Sequence, residues 1–135
     1  KLLRVLQDSK ITRLGSNKEI KLDIRVIAAT NKNLSERVKA NQFREDLMYR
    51  LQGFLIHLSP LKERGNDIIL LANSFLTDFC QQNKIPVKSF TKEAIEVLLK
   101  HSWPGNVREL KSVVERAAVL SEDSKIDVDS LIFNN

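Results

Sequence analysis

Trp103-Pro104-Gly105-Asn106-Val107-Arg108-Glu109-Leu110 decides how the second half of this 135-residue chain is read. Pro104-Gly105 interrupts any regular element. Asn106 is a good N-cap and Glu109, three residues later, completes a capping-box pattern, so a helix is expected to begin at Asn106 with Arg108 in its first turn. An arginine at that end is disfavoured by the helix dipole, by roughly a few tenths of a kcal/mol. An anion offsets this, because free N–H groups, the dipole and a guanidinium fork together suit a phosphate. The ordinary alternative is that Arg108 pairs with a nearby carboxylate and that Trp103 is simply a core anchor.

Helical periodicity extends on both sides of this stretch. Asn66 is expected to cap a helix running to about Asn83, with Ile68, Leu71, Ala72, Phe75, Leu76 and Phe79 on one face. Thr91 opens another to about His101, with Ala94, Ile95, Leu98 and Leu99 inward. The helix from Asn106 to about Leu120 turns Val107, Leu110, Val114, Ala117 and Ala118 inward. Ile126, Val128, Leu131, Ile132 and Phe133 suggest a short closing helix. Residues 60–135 therefore read as an all-α bundle.

The first half reads differently. Leu2, Leu3 and Leu6 mark one side of a helix over residues 1–7, which lacks a cap and reads as a helix cut in the middle, so the chain is expected to be a piece of something longer. Lys10 to Leu14 reads as a strand, Gly15-Ser16-Asn17 as a turn, and the alternation of Ile20, Leu22 and Ile24 as a half-exposed strand. Val26-Ile27-Ala28-Ala29 and Phe54-Leu55-Ile56-His57-Leu58 are continuous enough to be strands buried on both faces. Asn33 and Glu36 form a capping box for a helix over about 33–40. Asn31 lies at the carboxyl end of a strand, where ligands of open α/β sheets sit; it is either a ligand-orienting group or part of a turn. In the helix expected over Phe43–Leu51, Phe43, Leu47, Met48 and Leu51 share one apolar arc, flanked by Arg44 and Arg50. Those two guanidinium groups either reach one anion on a neighbouring surface or make local ion pairs, Asp46 with Arg50 being the obvious one.

Composition sets the frame. The chain is 42% hydrophobic and 29% charged, as a globular protein would be. Its longest apolar run, Ile68 to Ala72, is far too short for a membrane span or a signal peptide. The single cysteine, Cys80, excludes an internal disulfide and fits a reducing cytoplasm. His57 and His101, without clustered acids or cysteines, make no metal pattern. The net charge of +5 is uneven: residues 1–59 hold 12 basic and 6 acidic side chains, residues 60–135 hold 10 and 11. Such a balance favours an anionic partner, whether nucleotide, nucleic acid or acidic protein.

Trp-Pro-Gly-Asn-Val-Arg-Glu-Leu resembles the sensor II segment of the AAA+ ATPases that activate sigma-54 RNA polymerase, the bacterial enhancer-binding proteins. Ala28-Ala29-Thr30-Asn31 resembles their sensor I. Phe43-Arg44-Glu45-Asp46-Leu47-Met48-Tyr49-Arg50-Leu51 resembles their arginine-finger helix. Ser59-Pro60-Leu61-Lys62-Glu63-Arg64 resembles their core–lid hinge, with Ser59 and Lys62 in place of the usual proline and arginine; lysine cannot copy a bidentate arginine contact. The resemblance implies an α/β remnant of an AAA+ core over residues 1–59, followed by a helical lid subdomain over 60–135. It further implies that Arg108 reaches the γ-phosphate of its own subunit's ATP, that Arg44 and Arg50 act across a subunit interface, and that Asn31 helps arrange the attacking water. Arg64 and Ile68 are implied at the adenine. The parent would form a hexameric ring, use ATP and Mg²⁺, engage sigma-54 RNA polymerase and bind DNA through a separate domain.

The Gly-x-x-x-x-Gly-Lys loop, a strand ending in paired acids and the family's sigma-54-contacting loop do not occur in these 135 residues. The piece alone is therefore expected to bind no ATP or Mg²⁺ and to hydrolyse nothing. The family's sheet also places its P-loop strand between the strands read at 24–29 and 54–58, so the first half is expected to be loosened, rearranged or paired with another chain. Two readings of other classes stand beside this one: a basic helical nucleic-acid-binding module, and a structural adaptor bundle.

Overall fold

A computed structural model of the protein describes residues 2–13, 15–16 and 18–133. The chain divides into two compact units, residues 1–57 and 58–135.

The first unit begins with α1 (Leu2–Asp8), then β1 (Lys10–Thr12) and β2 (Glu19–Lys21), which pair antiparallel with Ile11 opposite Ile20. Leu14 and Asn17, expected in a strand and a turn, lie outside the described residues. Lys10 stands directly opposite Lys21, a repulsive placement. It is relieved by Glu19, whose Oε2 lies 2.7 Å from the Lys10 Nζ. Two short helices follow, α2 (Leu34–Lys39) and α3 (Glu45–Leu51). At the start of α2 the Asn33 Oδ1 accepts from the N–H groups of Ser35 and Glu36, while its Nδ2 donates to Glu36 Oε1 at 3.0 Å. The expected reciprocal cap is thus present, made through the asparagine side chain. α1 and α2 both pack on α3, whose inner face carries Leu47, Met48 and Leu51, with Phe43 just before it also half-buried; Met48 is the one buried apolar side chain among the described residues of this unit. In α1 the inner residues are Leu3, Val5 and Leu6, while Leu2 is exposed.

The two buried strands expected here are not formed. Residues 23–30 and 54–58 run without ladder partners, and Ile27 is 85% and Phe54 88% exposed. An apolar run states that a segment has surface to bury, but a strand also needs hydrogen-bonding neighbours on its edges. No neighbouring strand is supplied to either segment among the described residues.

The second unit is built on three helices, α4 (Asp67–Gln82), α5 (Lys92–Lys100) and α6 (Asn106–Leu120), preceded by a single 3₁₀ turn over Leu61–Glu63. α4 packs against α6 and α5 around a continuous core that includes Leu61, Ile68, Leu76, Leu98, Trp103 and Leu110. Thr91 caps α5 by accepting from the Ala94 N–H. Asn66, in contrast, makes no side-chain cap for α4. The chain instead enters through Gly65 at φ +51°, in the left-handed region, and Arg64 closes the entrance by pairing with Asp67 at 3.1 Å. Leu99, expected inward, is 40% exposed, and Cys80, not expected in the core, is completely buried.

The expected closing helix is absent. Lys125–Ile126 (β4) pairs in parallel with Ser89–Phe90 (β3), carrying Ile126 into the core. Ser121 Oγ donates to the carbonyls of Asp123 and Lys125, and the Lys88 ammonium donates to the Ser121 carbonyl, so local side-chain bonds take the backbone into a loop instead of a helix.

Candidate functional site

In the second unit, the segment from His101 to Glu109 places Arg108. Trp103 is 1% exposed; its indole N–H donates to the Leu98 carbonyl at 2.9 Å and its backbone N–H to His101 Nδ1 at 3.1 Å. The latter bond leaves the His101 ring proton on Nε2. His101 stacks on Phe133 with centroids 4.3 Å apart and meets Trp103 edge-on. This aromatic group fixes the end of α5 and the loop into α6.

α6 starts one residue out of register with the sequence expectation. Its N-cap position is Gly105, and Asn106 is the first helical residue, at φ +51°. Glu109 reaches back to the Gly105 N–H, which it accepts through Oε2 at 2.8 Å. A Cβ on Gly105 would come within 2.8 Å of the Glu109 Cβ, so this approach requires glycine. Glu109 Oε1 is buried, with His101 Nε2 at 3.8 Å, too far for a hydrogen bond. Asn106 Oδ1 does not cap its own helix; it accepts from the Leu61 N–H at 2.9 Å. Sequence reading missed this contact because its partner lies 45 positions away, although an asparagine directly after Pro-Gly signals left-handed backbone.

Arg108, in the first turn of α6, is exposed and has no ion pair or hydrogen bond among the described residues. The N–H groups of Val107 and Arg108 likewise have no partner among them. The local carboxylate, Glu109, is turned to Gly105 instead. Glu109 thus serves the helix start itself, and the Arg108 guanidinium is left without a carboxylate partner among the described residues. Arg64 is exposed but engaged by Asp67, whereas Ile68, implied at the adenine by the resemblance, is buried in the core at 1% exposure and presents no surface of its own.

In the first unit the two candidate arginines differ. Arg44 is the N-cap of α3 and not a helical residue, so it does not flank the apolar arc as expected. Its guanidinium grips Asp46 through two bonds, Nε–Oδ1 at 3.1 Å and Nη2–Oδ2 at 2.6 Å. The hydrogen bond from Arg44 holds the Asp46 carboxyl below the usual carboxylate range, and Asp46 raises the Arg44 guanidinium further above its already high value. Asp46 thus pairs with Arg44, leaving Arg50 in the last turn of α3 exposed and without an ion pair among the described residues. Asn31 sits in an exposed bend after the extended segment 23–30. It makes no hydrogen bond among the described residues, whereas Thr30 Oγ1 accepts from the Lys32 N–H. No group of three or more His, Cys, Asp or Glu side chains among the described residues could hold a metal ion.

Residues 62–134, more than half of the chain, match the AAA+ ATPase lid domain family, and residues 1–57 match the sigma-54 interaction domain. The chain belongs to the sigma-54-interacting AAA+ family. Its helical second unit is the lid of that fold. Transcriptional regulatory protein FlgR of Helicobacter pylori is 50% identical over 131 residues, covering 97% of this chain and 34% of FlgR. Nitrogen fixation protein AnfA of Azotobacter vinelandii is 50% identical over 126 residues, covering 93% and 24%. The chain therefore spans about a third and a quarter of these relatives. Among solved structures, NtrX from Brucella abortus in complex with ADP superimposes with a TM-score of 0.88 at 36% identity, covering 98% of this chain and 31% of NtrX. NtrX has also been solved with ATP, at the same TM-score.

Proposed function

We propose that this sigma-54-interacting AAA+ segment supplies the sensor, arginine-finger and lid residues of an ATPase that remodels sigma-54 RNA polymerase and opens promoters. The observation that carries the reading is Arg108: a guanidinium with no partner among the described residues, on a helix start with two free N–H groups, suits a phosphate. ATP is the substrate, held between subunits of a hexameric ring. Arg108 contacts the γ-phosphate of its own subunit's ATP. Arg50 and Arg44 approach from the neighbouring subunit, where a guanidinium neutralises charge on the transferring phosphoryl group. Arg50 is free to do so at once; Arg44 must first release Asp46. Asn31 orients the attacking water. Arg64 and Ile68 are assigned to the adenine side by the family resemblance, with Ile68 in the lid core.

The metal and the β-phosphate fall to residues of the parent protein outside these 135, which hold no Gly-x-x-x-x-Gly-Lys loop. DNA contact falls to a separate domain, and the working compartment is the cytoplasm. No helix among the described residues is long and apolar enough to cross a membrane.

The decisive experiment is a mixed ring. In the full-length protein, Arg108→Ala and Arg50→Ala subunits each show ATP turnover reduced by about a thousandfold. Mixed together they regain activity, because some interfaces then combine an intact Arg108 with an intact neighbouring Arg50. Turnover unchanged in either single variant, or no recovery on mixing, would overturn the assignment.

A further inference from the structure

Asn106 combines two features that its own helix does not explain. It is a non-glycine residue at φ +51°, a conformation that costs about 1–2 kcal/mol for most side chains and less for asparagine. Its side chain also caps none of the first-turn N–H groups of α6, the usual reason for asparagine at a helix start. Instead, Oδ1 accepts from the Leu61 N–H at 2.9 Å, while the Asn106 N–H donates to the Trp103 carbonyl at 2.8 Å. Leu61 is itself fixed, being 1% exposed, and its carbonyl accepts from the Arg64 N–H at 3.0 Å. A short hydrogen-bonded path therefore runs from the turn carrying Arg108, through Asn106 and Leu61, to Arg64. Buried Trp103 and the Gly105–Glu109 contact hold one end; the Leu61 core contact holds the other.

We infer that Asn106 is a positioning residue: its side-chain amide is a strut that sets the spacing between Arg108 and Arg64. The inference rests on the proposed assignment of those two arginines to opposite ends of ATP. A nucleotide touched at both ends needs both arginines at one fixed separation, and backbone strain is tolerated where the surroundings over-determine it. Leu61 lies four residues past the end of the first unit in sequence, so the strut also ties the Arg108 turn to the start of the lid.

The test uses the full-length protein and three variants. Asn106→Gly accepts the positive φ but removes the acceptor, so relief of backbone strain offsets part of the lost hydrogen bond and the lid still folds while the strut is lost. Its kcat/KM for ATP falls about tenfold, divided between a higher KM and a lower kcat, and exchange of the Leu61 amide hydrogen accelerates. Asn106→Asp keeps an acceptor in the same place and restores kcat/KM to within about threefold. Wild-type kcat/KM in Asn106→Gly, or a loss that Asn106→Asp does not restore, overturns the strut. Arg108→Ala separates the two ideas. If it lowers turnover while Asn106→Gly does not, the strut alone fails; if it too leaves turnover unchanged, the assignment of Arg108 fails.

Discussion

Arg44 and Asp46 hold each other two residues apart on the exposed rim of α3, and their pairing makes a pH prediction with a definite sign. The Asp46 carboxyl titrates below the usual range because Arg44 bonds its charged form. The pair is therefore in place above the ordinary aspartate value of about 4, and is lost as pH falls through the depressed value. Following the Asp46 carboxyl carbon by NMR should show a midpoint below that of an unpaired aspartate, moving up towards the ordinary value in Arg44→Ala while the Leu47 N–H still bonds the carboxylate. Gly105 makes a second prediction at this scale. A methyl group there meets the Glu109 Cβ at 2.8 Å, and moving Glu109 aside breaks its bond to the Gly105 N–H. Gly105→Ala should lower lid stability by about 1–3 kcal/mol, read from urea unfolding by the fluorescence of Trp103. Arg108, Glu109 and the glycine were legible in the sequence because their chemistry is local. The displaced cap was not, since Asn106 spends its oxygen on Leu61, and no local pattern announces a partner 45 positions away.

At the scale of elements, the long helices were legible and the buried strands were not; the short β1 and β2 formed where expected, and the closing helix did not. α4, α5 and α6 carry apolar residues at helical spacing and satisfy their backbone within themselves, so a short window of sequence contains the reason for each. A strand's hydrogen bonds go elsewhere. Residues 23–30 and 54–58 have the right side chains, yet they remain exposed because pairing is a property of the neighbourhood. The small β3–β4 bridge is the converse: Ile126 was read as helical, and its burial is achieved by pairing with a segment 36 positions earlier. Hydrogen exchange should follow this division. Amides of 23–30 and 54–58 should exchange within the dead time, while those at the centres of α4 and α6 are protected; comparable protection in both would refute the exposed assignment. α2 depends on its cap more than a longer helix would. Asn33→Ala should cost about 1 kcal/mol of local stability, read as faster exchange over Arg37–Ala40.

For the whole molecule, the two units differ in how much apolar surface they bury. Residues 58–135 contain all but one of the buried apolar side chains, and the first unit contributes only Met48. Unfolding should therefore not be two-state. Circular dichroism should detect helix loss from the first unit at lower urea than the Trp103 fluorescence change, which reports the second. Coincident transitions would count against the division. The uneven charge follows the same division, with the basic excess in the thinly packed unit that carries Arg44 and Arg50.

Cys80 sits on α4 with no accessible surface and no disulfide partner. A small thiol-modifying reagent can reach that sulfur only while the packing of the lid's own core is open, so the rate of modification reports local unfolding of the lid. The protein thus carries an intrinsic clock for its lid, needing neither an introduced label nor an engineered cysteine. In a full-length ring, that clock could be read separately with ADP and with ATP present. A slower rate in one nucleotide state would show which of them stabilises the internal packing of the lid.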